Sequence, residues 1–192
     1  MTVSMNTPSP MITAILDGAF EQFARHGFAK STMTDIAMAA GVSRRALYNH
    51  FRTKEDVFKA LSERIRTEVH ARIVTAVRDH AEPEEKLMAV VHARSGWIYD
   101  LLHKSEFARE FINEKHRISG EYARIASEEY ERLVIRIMRE FGLSPSQAAR
   151  WARILIRSVN GILEDAESPT EAEADVTSLV RVCISGLKSP PR

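Results

Sequence analysis

One feature constrains this chain more than any other. A helical apolar period recurs from end to end and is interrupted only by helix-cap signals. From Met11 to His26 the apolar residues Ile12, Leu16, Ala19, Phe20 and Phe23 fall on one face, and Gly27 follows where a helix-terminating glycine belongs. Thr32-Met-Thr-Asp35 and Thr53-Lys-Glu-Asp56 have the form of capping boxes, in which a hydroxyl takes an orphan N–H and an acid reaches back. Ser144-Pro-Ser-Gln147 and Ser168-Pro-Thr-Glu171 repeat the device with proline at the first helical position. No clean alternating run of β-branched residues occurs, so the chain is expected to be all-α.

The signals predict about nine helices. Short ones run from Met33 to Ala40 and, after the cap Ser43, from Arg44 to His50. A long one opens at Thr53 and carries Phe58, Leu61, Ile65, Val69 and Ile73. Glu82-Pro83 breaks the pattern before a helix bearing Leu87, Val90, Val91, Ile98, Leu101 and Leu102. Ser105 can cap a shorter segment with Phe107 and Phe111, and another helix spans Gly120 to Phe141 before Gly142. Two more follow the serine-proline caps. The expected organisation is a head over residues 8–68, with its turn-helix core at 32–51, a helical regulatory and dimerisation body over 69–188, and tails at 1–7 and 189–192.

Composition excludes several classes. With 44% apolar residues the chain can bury a core, and its one cysteine, Cys183, cannot form an internal disulfide. No stretch reaches the roughly 18 consecutive apolar residues of a membrane span. The start, MTVSMNTPSP, lacks the charge and apolar run of a secretory signal, so a cytoplasmic location is expected. P-loop, G-x-S-x-G and HExxH patterns are absent, and neither a metal nor a cofactor is expected.

Charge is distributed unevenly. Between Arg25 and Lys54 stand six basic residues against one acid, Asp35, a net +5 in a chain whose total is +1. That asymmetry suits an anionic partner at one end of the molecule. Two short helices joined by Gly41-Val42-Ser43 form a helix-turn-helix, whose second helix enters the major groove of DNA. Arg44 and Arg45 lie in its first turn, and arginine's donor fork matches guanine O6 and N7. Asn49 can pair with adenine. Tyr48 and His50 are placed for the DNA backbone, and Lys54 starts the next helix, where charge and free N–H groups favour phosphate. Leu47 and Phe51, four apart, anchor the helix from behind.

Ile36-Ala37, Ala40-Gly41-Val42-Ser43, Leu47-Tyr48, His50-Phe51 and Lys54-Glu55, with Phe23-Ala24-x-x-Gly27-Phe28 upstream, resemble the DNA-binding domain of the TetR family of transcriptional regulators. The match spans about residues 11–60 without a gap. The resemblance implies a homodimeric all-helical regulator, usually a repressor of double-stranded DNA operators, whose small-molecule effector weakens DNA binding. By position it implies that Thr32, Tyr48, His50 and Lys54 hold phosphates, while Ser43, Arg44, Arg45 and Asn49 face bases or nearby backbone. Many members carry glycine where Arg45 stands, so contacts there are this chain's own.

Dimerisation has an independent reason, since a two-fold pair doubles the DNA surface one helix-turn-helix covers. The last two helices have broad apolar faces that can pair as a four-helix bundle. Trp151, Leu155, Ser158, Ile162, Val176, Leu179, Val180, Cys183 and Leu187 are the candidate interface, with Gly161 permitting close approach. The segment from His92 to His116 is rich in large side chains, and Trp97, Phe107, Phe111, Asn113 and His116 are candidate lining for an effector pocket. Three other readings stay open: a helical small-molecule carrier or an enzyme with a purely structural helix-turn-helix, an activator, and an architectural DNA binder without effector.

Overall fold

A computed structural model of the protein describes residues 9–103 and 120–188, with side chains described at 9–99 and 124–188. Eight helices and no strand occur among the described residues: α1 (Pro10–Lys30), α2 (Met33–Ala39), α3 (Arg44–His50), α4 (Lys54–Arg78), α5 (Pro83–His103), α6 (Gly120–Glu140), α7 (Pro145–Asp165) and α8 (Pro169–Lys188). The all-α class and the helix bounds agree closely with the periodicity and the caps. The helix expected after Ser105 and the tails at 1–7 and 189–192 lie outside the described residues.

The caps form largely as their chemistry requires. Thr32 and Asp35 make a reciprocal capping box, as do Ser144 and Gln147. Thr53 and Asp56 exchange two bonds of 3.1 Å in the same way. The Ser168 cap differs: its hydroxyl accepts from Glu171 N–H at 3.1 Å, but the Glu171 carboxylate reaches one residue further back, to the N–H of Glu167 at 2.9 Å. Gly27 has φ 78° and ψ 159°, which breaks α1 before its last turn.

The chain divides into two compact units, and the division falls inside α4, between Ile65 and Arg66. In the first, α1 packs on α2 and α2 on α3. The core of this head is Ile15, Leu16, Phe23, Ile36, Leu47, Phe58 and Leu61, all essentially without exposure. Phe58 of α4 meets Phe23 and Phe28 with ring centroids at 5.7 and 5.1 Å. Burying each ring is worth roughly 1.5–3 kcal/mol, so aromatic packing helps hold α4 to α1. Arg64 adds a 2.7 Å bond to Asp17.

The second unit is a helical body in which α5 packs on α7 and α8, and α7 on α8. Leu87, Val90, Val134, Ile137, Met138, Val159, Leu163, Val176 and Val180 form its core. His92 and Thr177 share a 3.1 Å hydrogen bond between α5 and α8. Lys86 pairs with Glu140 at 2.7 Å and Lys188 with Glu84 at 2.6 Å. No helix among the described residues is long and apolar enough to cross a membrane.

Candidate nucleic-acid interface

The tight turn between α2 and α3 follows from one glycine. Gly41 has φ 65°, a conformation other residues adopt at a cost. Its N–H donates to Met38 O at 3.1 Å and the N–H of Val42 donates to Ala37 O at 3.0 Å. These are the two bonds of a Schellman motif, which ends α2 and satisfies its last carbonyls. Ser43 then opens α3 by accepting from Ala46 N–H at 3.1 Å.

With the turn so built, α3 sits on the head by Leu47, which has no exposure, and by the half-buried Phe51. The opposite side carries Arg44, Arg45, Tyr48, Asn49 and His50, all exposed. Arg44 lies over the Tyr48 ring at 5.5 Å, one turn along the helix, so these two present a joint cationic and aromatic surface. Arg45, Asn49 and His50 make no hydrogen bond, ion pair or ring contact among the described residues. Arg52, likewise exposed, extends the cationic side. Seven of the eight expected DNA-contacting residues are thus exposed on one short stretch or at the start of α2.

Besides Ser43, two of the eight are held by hydrogen bonds. The Thr32 hydroxyl donates to Asp35 Oδ2 at 2.6 Å and accepts from Asp35 N–H at 3.2 Å. Bonds from the hydroxyl and backbone N–H of Thr32 hold the Asp35 carboxyl below its ordinary value. Lys54 is half-buried. Its ammonium donates to Phe28 O at 2.7 Å, Ser31 O at 2.9 Å and Ala29 O at 3.1 Å, and lies 4.4 Å from the centre of the Phe28 ring. An ammonium has three N–H donors, and these carbonyls engage all of them. Lys54 therefore ties the start of α4 to the end of α1, across both ends of the helix-turn-helix.

Two supporting residues carry no sequence signal of their own. Ser31 is buried, and its hydroxyl donates to Gly27 O at 2.6 Å, fixing the elbow whose carbonyls Lys54 holds. Gly18 faces α2: a Cβ there would stand 2.5 Å from the backbone nitrogen of Ala40. Neither role is encoded in periodicity or caps, because each depends on where another helix passes.

In the body, Trp97 is half-buried on α5, while Phe107, Phe111, Asn113 and His116 lie outside the described residues. The candidate dimer residues separate into two groups. Leu155, Val176 and Val180 are buried in their own unit's core and have no area to offer a partner. Trp151, Ser158, Ile162, Leu179, Cys183 and Leu187 keep exposure, and the strongly exposed apolar residues beside them are Ile154 at 42% and Val182 at 71%. The difference lies in helix phase: Trp151, Ile154, Ser158 and Gly161 follow one outward stripe, and Leu155 and Val159 the inward one. A Cβ added at Gly161 or Gly186 would meet nothing within 4 Å.

The chain is similar to several known proteins. Residues 15–61 match the family described as "Bacterial regulatory proteins, tetR family". The "HTH-type transcriptional repressor BepR" of Brucella suis biovar 1 is 28% identical over 168 residues, covering 79% of this chain and 78% of that one. The "HTH-type transcriptional regulator TtgR" of Pseudomonas putida is 34% identical over 104 residues, and the chain spans only 50% of its length. The solved structure of SCO4454, a TetR-family transcriptional regulator from Streptomyces coelicolor, superposes with a TM-score of 0.76 over 93% of this chain and 96% of that one at 16% identity, a likeness of fold.

Proposed function

We propose that this chain, a DNA-binding transcriptional regulator of the TetR family by its residues 15–61, is a homodimeric cytoplasmic repressor released from its operator by a small-molecule effector. The observation that carries the reading is the exposed side of α3. Arg44, Arg45, Tyr48, Asn49 and His50 are displayed together on a helix whose other side is anchored by Leu47. An α-helix of that kind fits the roughly 12 Å major groove.

Arg45 and Asn49 are assigned to base edges, and Tyr48, His50 and Arg52 to phosphates. Thr32 offers its capped helix start to the backbone. Lys54 acts as a clamp that sets the pose of the head. Two heads must reach half-sites about 34–36 Å apart, which requires a dimer. The outward stripe of Trp151, Ile154, Ile162, Leu179 and Val182 is assigned to that pairing. The head at residues 8–68 reads DNA and the body at 69–188 binds effector and partner. An effector that prefers one head spacing by a few kcal/mol suffices for release. Nothing in this mechanism requires catalysis.

The test is selection of DNA fragments retained by the purified protein, followed by titration of the recovered sequence at several salt concentrations. A two-fold related sequence whose affinity falls steeply with salt supports the reading. Retention of no sequence at low salt, or binding indifferent to salt, overturns it.

A further inference from the structure

The last two helices sort their charges by position along the hairpin they form. Residues 145–161 of α7 carry three bases, Arg150, Arg153 and Arg157, and no acid. Residues 162–175, which run through the turn into α8, carry six acids, Glu164, Asp165, Glu167, Glu171, Glu173 and Asp175, and no base. Residues 176–188 then carry Arg181 and Lys188 and no acid. Only three residues separate α7 from α8 and the two helices pack together, so they run antiparallel. The hairpin therefore has an acidic turn end, with six negative charges, and a basic open end, with five positive ones.

All of these side chains are exposed. Few are neutralised within the protomer: Arg153 stands 3.8 Å from Glu131, and Lys188 pairs with Glu84 at 2.6 Å. Arg150, Arg157 and Arg181 make no ion pair among the described residues, and neither do the six acids. Like charges gathered at each end repel one another, and a surface with the reverse order relieves both ends at once.

The outward stripe of α7 lies inside the same pattern. Trp151, Ile154 and Ser158 each directly follow one of the three arginines, and the stripe continues through Gly161 to Asp165. Ser158 and Gly161 thus stand between the basic and acidic halves, and a Cβ at Gly161 would meet nothing within 4 Å, which leaves room for close approach. A two-fold axis crossing α7 between these small residues sets residues 150–157 of one copy along residues 162–169 of the other, which hold Glu164, Asp165 and Glu167. Symmetry repeats each such contact. Two copies placed parallel, turn against turn, would set acids on acids and bases on bases.

We propose that α7 and α8 form a self-complementary surface for a second copy of this chain, held antiparallel by the arginine end of each hairpin lying on the acidic turn of the other. The inference rests on the homodimeric reading above and adds the register of that dimer and the charges that select it. The same charges disfavour pairing with a hairpin of a different charge order.

Sedimentation of the full-length protein without DNA, at graded salt concentrations, tests it. The dissociation constant of the dimer should rise severalfold from low to high salt, because exposed charge pairs are screened. Two double variants read the register. Arg150→Glu with Arg157→Glu reverses the open end, and Glu164→Lys with Asp165→Lys reverses the turn end; all four positions are exposed, so the protomer keeps its fold. Each double variant alone should self-associate about tenfold or more weakly than the native chain, and an equal mixture of the two should pair about as tightly as the native dimer. In a parallel dimer neither reversal weakens self-association and added salt tightens it, and that result overturns the proposal. A dimer indifferent to salt and to both reversals also overturns it while leaving the homodimer in place. A native chain that is monomeric at every salt concentration overturns the homodimer as well.

Discussion

The ammonium of Lys54 lies 2.7 Å from the carbonyl oxygen of Phe28, twenty-six residues earlier in the chain. With Ser31 O at 2.9 Å and Ala29 O at 3.1 Å it closes the segment that holds α2 and α3 into a tied loop. A cation so engaged by carbonyls, and set over a ring, ties the two ends of the helix-turn-helix together. Lys54→Met keeps the stem over Phe28 and removes the bonds. It should destabilise the head by about 2 kcal/mol, since hydrogen bonds to charged groups contribute roughly 1.5–3 kcal/mol each and part of the loss relaxes. The discriminating measurement is the salt dependence of operator binding. A clamp leaves the slope of log K against log salt unchanged while affinity falls, whereas a phosphate ligand lowers the slope by about one.

Gly18 gives a second, purely steric prediction. A methyl group there would approach the backbone nitrogen, Cα and Cβ of Ala40 at 2.5, 2.7 and 2.8 Å. Backbone cannot rotate out of the way, so Gly18→Ala must push α2 from α1. Overpacking of this kind typically costs 1–3 kcal/mol. In an exposed helix interior the same change would instead stabilise by about 1 kcal/mol. Gly161→Ala, with open space around its Cβ in the protomer, is the internal control for that sign. Chemical denaturation of both variants separates the effects: a loss at Gly18 and no comparable loss at Gly161 is expected in the monomeric state.

The helices were legible because their signals are local. Apolar spacing, hydroxyl caps and positive-φ glycines each involve residues within one turn, and α3 runs from Arg44 to His50 as expected after the cap Ser43. The displayed side of α3 was legible for the same reason, since Leu47 fixes the phase and everything opposite must face out. The bonds of Lys54 were not, because they depend on the path of residues 28–31. Leu155, Val176 and Val180 were placed on the partner face because an apolar stripe does not say which of two neighbours it covers. Arg94 was not singled out at all: an arginine between Ala93 and Ser95 looks solvated until Tyr130 and Asn160 are seen beside it.

The exposed apolar stripe on α7 and α8 yields a prediction about assembly. Val182 is 71% exposed and Ile154 42%, while Leu155 is 2% exposed. Val182→Glu places a charge where a two-fold partner would pack, and Ile154→Glu does so on the neighbouring helix. Either should convert the proposed dimer to folded monomers by sedimentation and weaken operator binding sharply, because half-sites are then engaged singly. Leu155→Glu should instead unfold the body, as it buries an unpaired charge. Dimers that persist in both Val182→Glu and Ile154→Glu would place the interface elsewhere.

Arg44 and Arg45 are adjacent on α3 but differ in their surroundings. Arg44 is steadied over the Tyr48 ring at 5.5 Å, while Arg45 makes no hydrogen bond, ion pair or ring contact among the described residues. A guanidinium held against Tyr48 has less freedom to turn to a base edge than one without such a contact. Arg44→Ala is therefore expected to weaken binding to all sequences alike and to lower the salt slope by about one. Arg45→Ala is expected to lose roughly 1–3 kcal/mol on the selected operator and little on unrelated DNA, relaxing preference at one base pair in each half-site. Binding curves for the native operator and for every single-base variant of one half-site, measured at two salt concentrations, read both effects together. If Arg45→Ala weakens all the variants equally, Arg45 is a phosphate ligand and the base preference of α3 belongs to Asn49 or Arg44.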